Sequence, residues 1–186
     1  SANGLAMSFP NTHIELFAYP FNSDSVLSHY VNWVEELAVH ELTHIVANDT
    51  TLGTYQTLRS IFGSWVKPNG LQPVWITEGL GVYQETSLTA GGRGRSPLLE
   101  AMLREAVLKN KLNSPDYFSL DRFNDSVPWG PGGSTQYLLG YTLQALPSKQ
   151  TPNLPGKLSH ESGQTVIFAP NRVLQAVNGQ EWIDVW

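Results

Sequence analysis

The chain has 186 residues, 41% of them hydrophobic and 11% aromatic, enough for one domain with its own core. Its 11 Lys and Arg against 16 Asp and Glu give a net charge of −5, and no basic tail or face is evident that would draw nucleic acid or an anionic membrane. No apolar run approaches the roughly 20 residues that span a bilayer, and the lack of cysteine excludes disulfides, thiolate zinc ligands and cysteine nucleophiles, so any metal must be held by His and carboxylate.

Taken in chain order, Thr12 to Tyr19 alternates polar and apolar residues, with Ile14, Leu16 and Ala18 on one face, and predicts a strand ended by Pro20. From Ser28 to Asn48 the apolar residues Val31, Val34, Leu37, Ala38, Leu42, Ile45 and Val46 recur at helical spacing without Pro or Gly, which predicts one long helix. Gly53 and Gly63 bracket a second helix containing Leu58, Ile61 and Phe62, and Lys67 to Gly70 reads as a turn. Trp75 to Glu85 follows as a helix despite Gly79 and Gly81, and Ala90 to Arg95 as a flexible loop. Ser96 caps a helix that opens on Pro97 and runs to Leu108. Asn124 to Ser134 is loop-like, Gln136 to Leu146 helical, and the Pro/Ser/Lys/Gln-rich stretch to Lys157 mobile. Two short helices close the chain, one opened by Pro170 and ended by Gly179. The expected class is α+β, mainly helical with a small sheet.

His40-Glu41-Leu42-Thr43-His44 is an H-E-x-x-H motif inside the long predicted helix. Residues four apart share a helical face about one turn apart, so both imidazoles can reach a single cation. Glu41 flanks them, able to reach a water on that cation and take its proton without ligating the metal. A catalytic zinc needs a third protein ligand and an open position. His13, His29 and His160 are the remaining histidines. His29 shares a face with His40 but stands about 16 Å away along the helix at about 1.5 Å per residue, too far to close the same site. Glu78, a carboxylate after the apolar run Val74-Trp75-Ile76, is the better candidate; the alternative is an exposed helix-surface glutamate.

Other polar residues have two readings each. Asp49 and Glu85 could accept a hydrogen bond from a ligand imidazole, or be a helix-end residue and a surface carboxylate. Arg93 and Arg95 could bind a substrate carboxylate, lock their Gly-rich loop, or simply be solvated.

The zinc motif followed by Trp75-Ile76-Thr77-Glu78-Gly79 resembles the gluzincin peptidases, whose second helix supplies a glutamate ligand. The longer spacing looks most like bacterial peptidase-MA-like domains, often found N-terminal to a Tol-type β-propeller. The matching stretches are Ala2 to Ala6, Tyr30 to Trp33, His40 to Asp49, Pro73 to Thr86, Gly91 to Ser96, Tyr137 to Gly140 and Asn171 to Trp186, spread over almost the whole chain. The resemblance implies a zincin-like core, one Zn2+ on His40, His44 and Glu78, and a peptide or protein substrate. It also implies a periplasmic or secreted setting and a β-propeller in the full-length protein. Tyr137-Leu138-Leu139-Gly140 has the spacing of a tyrosine that stabilises an oxyanion in related aminopeptidases, with Tyr141 and Tyr83 as runners-up. The Ala2 to Tyr19 segment resembles an edge strand lining the cleft. Related domains usually have a helix and a strand before this point, so truncation at the N-terminus is expected. The function implied is peptide hydrolysis with Glu41 as general base, endopeptidase and aminopeptidase action being undivided. The alternative is an inactive, zinc-stabilised binding module of a bacterial envelope protein.

Overall fold

The computed structural model describes residues 4–7, 11–17, 32–112, 135–165 and 169–186. Strands β1 (Gly4–Met7) and β2 (His13–Leu16) pair antiparallel, Gly4 opposite Leu16 and Met7 opposite His13, and pack on helix α1 (Trp33–Asp49). Helices α2 (Gly53–Phe62), α3 (Val74–Leu88), α4 (Pro97–Leu108), α5 (Thr135–Ser148), α6 (Leu154–Ser162), α7 (Pro170–Asn178) and α8 (Trp182–Val185) follow, with short 3-10 turns at Gly63–Trp65, Pro68–Leu71 and Arg93–Arg95. The chain is thus α+β in class, mostly helical with a small two-stranded sheet. No helix among the described residues is long and apolar enough to cross a membrane.

Local signals set most helix ends where the sequence puts them. Ser96 Oγ accepts from Leu98 N at 3.2 Å, with Pro97 in the first turn of α4. Pro170 opens α7 and Gly179 ends it at φ +79°. At α1 the Asn32 side chain accepts from Glu35 N, and Glu36 Oε1 accepts in return from Asn32 N at 3.1 Å, so first-turn amides find partners. The helix therefore starts at Trp33; residues 28–31 of the predicted range lie outside the described ones, as do 18–19 of the predicted strand and the predicted loop 124–134.

Three expectations change. The apolar stripe of α1 is split: Leu37 and Ile45 are buried, whereas Val34, Leu42 and Val46 are 45%, 52% and 60% exposed. The buried face holds Glu36, His40 and Glu41 instead: His40 lies against Gly81 of α3, Glu36 against Gly91 of the loop that follows α3, and Glu41 against Gly4 of β1. The Gly-rich loop at 90–95 is not a loose solvated segment, since Gly91, Gly92 and Arg93 are buried. Part of the stretch read as mobile is the start of α6, where Leu154 is fully buried in the core with Leu139, Leu143 and Leu174. A single leucine among polar residues gives little periodic signal, yet it anchors the turn by removing its whole side chain from water.

The core lies between α3 and α4 to α8, where Trp75 and Trp182 meet edge to face at 5.0 Å. Asn69, on the 3-10 turn before α3, donates through Nδ2 to Ala47 O (2.9 Å) and Ser159 O (3.1 Å), fastening the end of α1 to α6. Helices α3 and α5 cross at bare backbone. A Cβ on Gly79 would stand 2.3 Å from the Gly140 carbonyl carbon, and one on Gly140 would stand 2.1 Å from Trp75 O. No other residue type fits that crossing, and it sets Glu78 and Tyr137 on adjacent helices beside α1.

Candidate metal centre

Helix α1 carries His40 and His44 one turn apart with their Nε2 atoms 3.1 Å from each other. Glu78 of α3 places Oε2 at 3.1 Å from His40 Nε2 and 3.5 Å from His44 Nε2. Among the described residues these three side chains form a group that could hold a metal ion. The separations fit one: a tetrahedron with arms of about 2.0–2.1 Å, the usual Zn–N and Zn–O lengths, has edges of about 3.3 Å. Three donors of this type leave a coordination position for another ligand. The approach of α3 depends on Gly81, where a Cβ would lie 2.4 Å from His40 Cε1. Thus both glycines that weaken α3 as an isolated helix have a packing reason.

Glu41, next to His40 in the chain, is buried and outside the donor group, and β1 runs against it, with the Cβ position of Gly4 3.0 Å from Glu41 Oε1. Glu85, two turns beyond Glu78, is fully buried and sets Oε2 3.0 Å from His40 Nδ1. An Nδ1–H donated there leaves the Nε2 lone pair facing His44 and Glu78, as a ligand imidazole requires. Asp49, the other candidate for that role, instead accepts from Arg59 Nη2 at 2.5 Å and has no hydrogen bond to either histidine.

Arg93 is 6% exposed and turned inward. Its Nε donates to Glu85 Oε1 (2.9 Å) and its Nη2 to Glu85 Oε2 (2.8 Å), a two-pronged ion pair, while its backbone N–H also donates to Oε1 (2.8 Å). Nη2 also lies 2.7 Å from His40 Nδ1, so that nitrogen faces both a donor and an acceptor and serves one at a time. Through its pair with Glu85, Arg93, one of the two expected substrate-binding or loop-locking residues, ties the Gly-rich loop to α3. Arg95 remains exposed, its Nη1 donating to Gly91 O.

Tyr137, on α5, sets its ring 6.1 Å from the His40 ring and under the Arg93 guanidinium, 4.6 Å from centroid to Cζ. Tyr83 and Tyr141 sit ring to ring, 6.4 Å apart, and Tyr141 packs against Gly94. His13 lies on β2 beside Glu15, and His160 is exposed on α6; His29 is outside the described residues. Glu36, which the zinc motif does not include, accepts through Oε2 from Gly92 N at 3.0 Å. Its position four residues before His40, on the same helical face, was the available signal.

Charge organises the cluster. Burial acts to raise the Glu78 carboxyl, but hydrogen bonds from His40 and His44 prevail and hold it well below the usual carboxylate range. Burial likewise opposes ionisation of Glu85, yet the Arg93 charge and the hydrogen bonds from His40 and Arg93 bring it down to about 2. For His40, burial and Arg93 both disfavour the cation, but Glu78 and Glu85 together raise it above the ordinary imidazole value. Burial, with Glu78 nearby, pushes the Tyr137 phenol up, so it keeps its proton at neutral pH.

No family model, curated protein or solved structure matches the chain.

Proposed function

We propose that this chain is a zinc-dependent metallopeptidase of the gluzincin type, built on a zincin-like core. The observation that carries the reading is the convergence of Glu78 from α3 on the two imidazoles of α1, with Glu41, next to His40 in the chain, buried and outside the donor set. His40, His44 and Glu78 would hold one Zn2+, which when bound polarises a scissile carbonyl and brings the pKa of water toward about 7.

The remaining chemistry belongs to the chain. Glu41 accepts the proton of the attacking water and passes it to the leaving amine. Tyr137, kept protonated by its surroundings, donates its O–H to the oxygen that gains negative charge. Glu85 fixes the orientation of His40. β1 runs beside Glu41 with no strand partner among the described residues on its second edge, which suits pairing with an extended peptide.

The rival reading, a zinc-stabilised binding module without turnover, is disfavoured by two features. A structural zinc site is closed by four protein ligands, whereas the donor group has three among the described residues. Such a site also has no use for a buried Glu41. Replacement of Glu41 by Gln separates the two readings. Cleavage of a peptide library is expected to fall by about 10²–10⁴-fold while zinc affinity stays unchanged. Equal cleavage by native and E41Q protein would remove Glu41 from the mechanism.

A further inference from the structure

The segment 91–96 touches all three helices that supply the proposed site. On α1, Glu36 accepts from Gly92 N. On α3, Thr86 Oγ1 accepts from Gly94 N at 3.0 Å, and Glu85 takes three hydrogen bonds from Arg93. On α5, the Arg93 guanidinium covers the Tyr137 ring and Gly94 lies against Tyr141. The backbone is specialised for this. Gly92 has φ +101°, a region only glycine enters without strain, and a Cβ on Gly91 would stand 2.1 Å from Glu36 Oε1.

We infer that Arg93 is the positioning residue of the metal centre: through its two-pronged pair with Glu85 it aims His40 at the ion, and through its cation–π contact it holds Tyr137 beside that ion. The inference rests on the metallopeptidase reading. Chemistry supports it in two ways. A carboxylate that orients a ligand imidazole works only if it is itself held, and Arg93 gives Glu85 three hydrogen bonds, from its backbone N–H, Nε and Nη2. The guanidinium is also the one side chain able to grip a carboxylate with two N–H groups while laying its flat face on an aromatic ring; a lysine ammonium keeps the charge and loses both geometries.

The test measures zinc affinity by competition with a chromophoric chelator for native protein, R93K, E85Q, the double variant E85Q/R93M and H44A. Cobalt absorption spectra and thermal melts of each metal-free protein accompany it. R93K is expected to melt cooperatively, to bind zinc about 10–100-fold more weakly, and to give altered cobalt d–d bands. Because Arg93 acts through Glu85, E85Q/R93M should bind no worse than about threefold below E85Q alone. Zinc affinity of R93K within threefold of native, with an unchanged cobalt spectrum, would overturn the inference. So would a double variant markedly weaker than E85Q, or a metal-free R93K that has lost cooperative melting, since the first denies the route through Glu85 and the second makes Arg93 a folding element. Native protein that binds no zinc would overturn the metallopeptidase reading along with it. Native binding that is lost in H44A but indifferent at position 93 would overturn this inference alone.

Discussion

His40 is the residue on which the site turns, because each of its ring nitrogens meets an acidic partner. Nε2 faces Glu78 and Nδ1 faces Glu85, at 3.1 and 3.0 Å. A proton on Nδ1 suits metal ligation, and one on Nε2 suits donation to Glu78 with Nδ1 accepting from Arg93. The same side chain thus satisfies its hydrogen-bonding capacity with or without an ion, which explains how a buried imidazole can wait beside two carboxylates. Tyr137 is the residue with the most specific chemical assignment. Loss of its hydroxyl in Tyr137→Phe keeps the ring and its contact with Arg93. Peptide turnover is expected to fall by about 10²–10³-fold with zinc affinity unchanged, as for a lost oxyanion donor. Unchanged kcat would make the phenol a packing group.

Among the elements, the α3–α5 crossing matters most, since it brings Glu78 and Tyr137 toward the motif helix. In Gly140→Ala the new methyl would meet Trp75 O at 2.1 Å, so the helices must part. Overpacking of this kind costs about 1–3 kcal/mol, readable as a lower urea midpoint at constant slope. An undiminished midpoint would mean that the helices do not cross so closely. This crossing also marks the limit of what the sequence discloses. The ends of α4 and α7 are legible because Ser96, Pro97, Pro170 and Gly179 act within a turn. His40, Glu41 and His44 are legible because their spacing is local. Glu78 lies 34 positions beyond His44, and its partnership follows from helix packing, so composition alone left it beside a surface alternative. The roles of Glu36, Gly91 and Arg93 depend on contacts between distant segments, which leave no periodic trace. The exposed half of the α1 stripe misled for a related reason: helical spacing identifies a face, but only the neighbouring helix decides whether that face is buried.

At the scale of the whole molecule, the site concentrates buried charge, and the metal-free protein should register this in its response to pH. Glu85 ionises at about 2 in the folded chain against an ordinary 4.5. Its folded value is depressed, so it contributes stability that is fully present above about pH 4.5 and is lost as pH falls toward about 2. The displacement corresponds to something on the order of 3 kcal/mol. Glu78 moves in the same direction. His40 is raised above 6.5, so its contribution is present below that value and fades as pH rises through the folded value. Urea unfolding of the metal-free chain should therefore show greatest stability between these two limbs, and E85Q should flatten the acid limb. An acid limb equally steep in E85Q would show that other carboxylates govern it.

The most direct measurement is anomalous diffraction at the zinc edge from crystals of the chain grown with one equivalent of Zn2+. One peak per chain is expected, in contact with His40 Nε2, His44 Nε2 and a Glu78 carboxylate oxygen, with Glu41 outside the coordination sphere. A chain that takes up no zinc, or a peak whose third protein ligand is some group other than Glu78, would contradict the proposed centre and the hydrolytic chemistry built on it.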